Sequence, residues 1–272
     1  MSDIKAFVPD VFFELIPISN LVSNQEYQRS LSRRHIERTV EHFDLFQINP
    51  IKVSRREGKN YVINGQHTIE IIAAASGLRD TPVWCMVYDG LEYLHEASIF
   101  AEQQKFTKSL SAFEIFKANL EADSDKHIVI KDIVEQCGLS LATSKSKAIG
   151  GICAVGSLLD IFDKYGYDGL ERTLRLIVKT WEGESASLTS SMLRGMALLI
   201  ATFGDSLKDD IFAERVGTIS AREIARTAKE RRAGSIGYAE TMLLMYNKKA
   251  KSTLSMTRLH MPHKEDVQLQ GF

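Results

Sequence analysis

Ile51–Gly77, IKVSRREGKNYVINGQHTIEIIAAASG, decides how the front of this chain is read. IKVSR and YVIN are short β-branched runs, and Glu57-Gly58-Lys59 between them predicts a hairpin turn. After Gly65 the run HTIEIIAAAS is helix-like, and Gly77 suits a C-cap. Asn64-Gly65-Gln66-His67-Thr68 therefore joins a strand to a helix. Glycine lets the backbone turn with positive φ. Free N–H groups at the start of a helix attract an anion such as phosphate. Gln66, His67 and Thr68 add side-chain donors. The same residues also read as an ordinary β–α turn with Thr68 as N-cap.

Working outward, VFFELIPISNLV predicts a strand near 12–17. Ser32 is a fair N-cap for RRHIERTVEHFD, where Ile36, Val40 and Phe43 recur at helical spacing. Pro50 opens the hairpin, and TPVWCMVYDG returns to strand, with a turn at Asp89-Gly90. The order is strand, helix, hairpin, helix, strand. From Leu91 onward strand signals fade. Segments from EYLHEASIFAEQQKF to GYAETMLLMYNKKAK carry helix-like apolar spacing, bounded by Gly, Ser or Asp. An α+β unit is expected first and an all-helical unit after it, with a boundary near 91–110.

The chain's 272 residues suit two domains, and 44% hydrophobic with 25% charged residues is an ordinary globular mix. Net charge is −1, which gives no global field for a polyanion. Cys85, Cys137 and Cys153 are far apart with no C-x-x-C pair. That spacing argues against a structural zinc cluster and fits a reducing compartment. MSDIKAFVPD has no signal-peptide core, and no run reaches the roughly 18 apolar residues of a membrane span. The expected setting is cytoplasmic.

Asn24 to Arg29, Gln47 with Pro50-Ile51, and Gly65-Gln66-His67 together resemble the ParB/sulfiredoxin superfamily in order and spacing. ParB-type domains show N-P-x-Q-P-R, a helix, G-L-x-Q-P-I, a hairpin, then G-E-R-R opening a helix. Glu102-Gln103-Gln104-Lys105 is a weak counterpart of the family's next element, E-N-x-x-R. The resemblance covers roughly residues 12–115. It implies an α+β ParB/sulfiredoxin-like domain over 1–106. An all-α domain over 107–260 would follow, with a helix-turn-helix-like pair at 129–149, then an irregular tail at 261–272.

The resemblance further implies a nucleoside triphosphate with Mg2+, CTP as in ParB proteins or ATP as in sulfiredoxin. Gly65, Gln66, His67 and Thr68 would cradle phosphates. Glu102 and Gln103 would face the metal or the phosphates, with Glu102 the metal ligand. Arg29, Gln47 and Pro50 would sit near the nucleotide. The chain departs from the family where the G-E-R-R arginines become His67 and Thr68, replacing bidentate charged clamps by an imidazole and a hydroxyl. Sulfiredoxin's nucleophilic cysteine position is Gln66 here, which argues against sulfinic acid reduction. The glycine–histidine form is more like phage and mobile-element ParB-like proteins. His67 reads either as an exposed donor or as a catalytic acid/base oriented by Glu70, one helical turn on.

Val129–Ile149 has the pattern of a helix-turn-helix. Ile130, Ile133, Val134 and Cys137 share one face, Gly138 permits a left-handed turn, and Leu139 would plug the core. Ser140 would cap a second helix presenting Thr143, Ser144, Lys145 and Lys147 to DNA. An αα-hairpin within a bundle fits the same residues. From Arg215 to Arg258 ten basic residues meet three acidic ones, a local +7 against −8 elsewhere. That run reads as a basic face for DNA or as solvated helix faces. Trp84 and Trp181 are expected as core or groove anchors, and Met192–Ile200 as buried helix.

Two functional classes follow. One is a ParB-like DNA-binding protein, gated by CTP or ATP and acting as a homodimer in partition or regulation of phage, plasmid or mobile-element DNA. The other uses the same pocket as a weak NTPase, phosphotransferase or nuclease. A ligand-free interaction scaffold is the third reading.

Overall fold

The computed structural model describes residues 11–23, 30–103, 105, 109–143, 149–248, 250 and 252–260. The chain divides into two compact units, Met1–Lys108 and Ser109–Phe272.

The first unit is built on a five-stranded mixed sheet. Its strands are β1 (Val11–Pro17), β2 (Leu21–Ser23), β3 (Ile51–Arg56), β4 (Lys59–Asn64) and β5 (Pro82–Asp89). The spatial order is β1-β5-β3-β4-β2. The hairpin β3–β4 is antiparallel, as its turn residues predict, with Glu57 and Gly58 both at positive φ. β1 lies antiparallel on β5, with Leu15 opposite Trp84. β5 runs parallel to β3 and β2 parallel to β4. The helices are α1 (Arg33–Glu41), α2 (Gln66–Ser76) and α3 (Tyr93–Glu102).

Period-2 alternation sorts the strand residues. Ile51, Val53, Val62, Val83, Cys85 and Val87 turn inward and are closed over by Ile69 and Ile72 of α2. Burial pushes the Cys85 thiol up to about 11. On the other face α3 packs on β4. There the Glu96 carboxylate, wholly buried, accepts from Arg56 Nε at 2.8 Å. The Arg56 guanidinium also lies over the Tyr61 ring, 3.9 Å from its centroid. Its pKa is raised, first by the hydrogen bond to Glu96. Trp84, expected as an anchor, is 56% exposed, because alternation on β5 turns it away from the core.

The second unit is helical. It contains α4 (Ala112–Glu121), α5 (Asp125–Gln136), α6 (Val155–Trp181), α7 (Ser190–Phe203), α8 (Asp209–Val216), α9 (Ala221–Arg231) and α10 (Ser235–Asn247). Ser111 and Glu114 form a capping box on α4, and Ser220 caps α9. α6 kinks at Gly166, whose φ of +68° breaks the helical run. Met192, Leu193, Met196 and Leu199 of α7 are buried, with α6 and α10 packed on that helix. α10 is buried from Gly237 to Leu243, including Glu240 and Thr241. Trp181 is a core anchor as expected, and its Nε1 donates to the Ile219 carbonyl at 2.9 Å. Among the described residues no helix is long and apolar enough to cross a membrane.

The expected second helix of the 129–149 pair is not what the described residues form. Gly138 takes positive φ (+73°) and Leu139 is buried, as the pattern required. Ser140-Leu141 (β6) then pairs in parallel with Gly151-Ile152 (β7). The Ser140 N–H donates to the Gly150 carbonyl at 2.8 Å. Ser140 is therefore an extended residue and not an N-cap. The backbone of Gly150-Gly151 offers close pairing partners that a helix-only reading overlooks. Thr143 lies in a bend. Ser144, Lys145, Lys147 and the tail at 261–272 lie outside the described residues.

Candidate functional site

Gly65 sits at the N-cap of α2 with φ +110°, a backbone reserved in practice for glycine. Thr68 is thus inside the helix and is not its cap. A Cβ on Gly65 would stand 2.7 Å from Ile51 Cδ1, so the turn also presses against the core. Gln66 follows as the first helical residue and is buried. His67 and Thr68 are half-buried.

A pocket of about 380 Å3 opens over this turn. It brings together Gly65, Gln66, His67 and Thr68 with Gln103 just beyond α3. Residues not anticipated as site residues from sequence share its wall, among them His35 of α1, Ile71 of α2, and Phe100 and Ala101 of α3. The His35 and His67 rings meet edge-on, 5.6 Å between centroids. His67 Nε2 accepts from the Ser32 backbone N–H at 3.0 Å. His35 has a recognisable signal, since it occupies the third position of a helix whose cap Ser32 already predicts. Phe100 has none beyond apolar spacing.

Other anticipated residues stand apart from this pocket. The Glu102 side chain is 62% exposed and faces Lys105 at 3.8 Å. Gln47 ends a 3-10 turn and its amide donates to Asp44 at 3.4 Å. Pro50 is exposed ahead of β3. Arg29 lies outside the described residues. Glu70, expected to orient His67, is instead held by both Arg79 amino nitrogens, at 2.9 and 2.5 Å. It shares a helical face with the loop after Gly77, and the fixed guanidinium fork draws it there. No cluster of three His, Cys, Asp or Glu side chains suited to a metal occurs among the described residues.

The basic run after Arg215 is also divided. Arg215 Nη1 donates to the Tyr246 carbonyl and Arg258 Nη2 to the Thr202 carbonyl, each at 2.8 Å. Arg232 faces Glu240 at 3.8 Å, and His260 reaches the same carboxylate at 3.0 Å. Arg215, Arg232 and Arg258 thus brace the bundle. Arg222, Arg226 and Lys229 remain on the open face of α9.

A family model described as a family of unknown function, DUF6551, matches residues 22–258. The chain belongs to this family. The match spans both units of the DUF6551 protein. No curated protein matches it in sequence. Among solved structures, it is similar to the C-terminally truncated chromosome-partitioning protein ParB from Caulobacter crescentus complexed with CTP-gamma-S. Identity is 15%, coverage 85% of this chain and 98% of that chain, and the TM-score 0.34. It is also similar to the same truncated protein complexed to the centromeric parS site. There identity is 12%, coverage 87% and 100%, and the TM-score 0.22.

Proposed function

We propose that this DUF6551 protein is a ParB-like DNA-binding protein whose α+β unit takes a nucleoside triphosphate at the Gly65 turn. The observation that carries the reading is the pocket itself. It assembles an αL glycine, the first turn of α2, the His67 and Thr68 side chains and Gln103 around a space open to a phosphate group. Sequence order and spacing, which resemble ParB-type domains, point to the same ligand class. An imidazole and a hydroxyl replace the family's arginines, so affinity rests on backbone amides and neutral donors more than on fixed charge. The chemistry of the triphosphate calls for Mg2+; Gln103 lines the pocket and would face it, whereas Glu102, exposed beside Lys105, would have to turn inward to become a ligand. Ser140, Thr143, Ser144, Lys145 and Lys147 would meet DNA, a role that rests on their hydroxyl and ammonium chemistry, in partition or regulation of phage, plasmid or mobile-element DNA. Glu70 being engaged by Arg79 disfavours the phosphotransfer or nuclease alternative built on His67.

Calorimetric titration with CTP, ATP and GTP, with and without Mg2+, tests the pocket. Saturable binding of one nucleotide, weakened by Thr68→Ala, is expected. No heat with any of them sinks the nucleotide reading. DNA binding is tested separately, by retention of duplex DNA that falls steeply with salt.

A further inference from the structure

The helical unit holds a second cavity, of about 850 Å3, which the reading above does not use. We propose that it binds a phosphate-bearing small molecule of nucleotide size, independently of the Gly65 pocket.

Three observations converge on that ligand. First, Arg222, Arg226 and Lys229 line one side of the cavity from successive turns of α9. Arg226 faces Glu223 at 3.7 Å. Arg222 and Lys229 have no ion pair among the described residues. One acid, Glu230, also lines the wall, so the local balance favours an anion.

Second, the start of α7 also lines the cavity, through Thr189, Ser190 and Ser191. Thr189 is the N-cap residue and makes no side-chain cap bond, so first-turn amides and hydroxyls face the same space as the cations.

Third, Tyr238 lines the cavity while only 6% exposed, and its hydroxyl makes no hydrogen bond among the described residues. The hydroxyl tip is reached from the cavity and is therefore open to a ligand. Burial raises its pKa, so the group stays a neutral donor. Leu188 and Ala225 supply an apolar surface beside it. The cavity thus offers cations and amides for a phosphate and an apolar wall with one polar tip for a ring. It is also more than twice the size of the Gly65 pocket, at about 850 against about 380 Å3.

The test uses the full chain and four probes: inorganic phosphate, pyrophosphate, AMP and a short DNA duplex. Calorimetry should show saturable AMP binding, tighter than inorganic phosphate. Arg222→Ala combined with Arg226→Ala should weaken it by about tenfold or more, as loss of charge-assisted contacts implies. Tyr238→Phe should weaken AMP while leaving pyrophosphate unchanged. Ser190→Asp is a second arm that cannot be confused with misfolding. A carboxylate there favours the α7 N-terminus, so the melting temperature should hold or rise while anion binding is lost. Thr68→Ala, in the other unit, should leave AMP binding at this site intact.

Three results overturn the proposal. One is no binding of any small phosphate. Another is AMP binding that survives the α9 substitutions but is lost with Thr68→Ala. The third is retention of the duplex alone, abolished by the α9 substitutions, which would make this face a polynucleotide surface.

Discussion

The backbone N–H of Ser32 donates to Nε2 of His67 at 3.0 Å, joining the cap of α1 to the first turn of α2. With Nε2 accepting, the neutral ring carries its proton on Nδ1. His67 therefore tethers α1, whose His35 also lines the pocket, to the glycine turn. His67→Ala should cost about 1 kcal/mol in chemical denaturation, the ordinary worth of one such bond. It should also speed hydrogen exchange at the Ser32 amide.

Gly65→Ala strains the αL turn and drives a methyl group to 2.7 Å from Ile51 Cδ1. A loss of about 1–3 kcal/mol is expected from the backbone conformation. Any nucleotide affinity of the pocket should fall with it. An unchanged melting curve would contradict the geometry.

Arg56 and Glu96 predict an asymmetric double-mutant cycle. Arg56→Met strands a wholly buried carboxylate and should cost about 3–5 kcal/mol. Replacing both residues with methionine should recover much of that loss, since apolar packing substitutes well for a buried pair. Urea denaturation of the three variants reads the coupling. A double-variant cost equal to the sum of the two single costs would mean that the pair is not coupled.

Cys85 should be silent to thiol reagents at pH 8 in the native protein. It is fully buried, and its pKa is pushed from about 9 up to about 11 by desolvation. The folded state holds this proton more tightly than the unfolded chain does. Its contribution to stability is therefore complete below the unfolded value and is lost as pH rises from about 9 to about 11. Cys85→Ala should remove that alkaline loss. Cys153, half-buried, should be alkylated first.

Much of the first unit was legible because its signals are local. Ser32, Gly65 and Gly77 each mark a helix end by a stated backbone need, and the hairpin turn carries its own glycine. β2 went unseen because three residues cannot establish a period, and only parallel pairing with β4 makes Leu21–Ser23 a strand. Tertiary pairing also overrode the helix reading at Ser140, where Gly150 supplies the acceptor for an extended backbone. In the pocket, Gly65–Thr68 is contiguous and readable. His35 and Phe100 join it only through the packing of separate helices. Glu70 shows the reverse case, a plausible partner by spacing that a more distant arginine claims.

The sheet order has a consequence for synthesis on the ribosome. β1 is the first of the described strands yet finds its neighbour only in β5, with Val11 opposite Tyr88. The hairpin β3–β4 can close as soon as it emerges, whereas β1 must wait for nearly the whole unit. During that interval the nascent strand displays Phe13 and Leu15, which stay 58% and 49% exposed even when folded. Slow elongation between residues 17 and 82 would lengthen the wait, and with it the window for chaperone capture or aggregation.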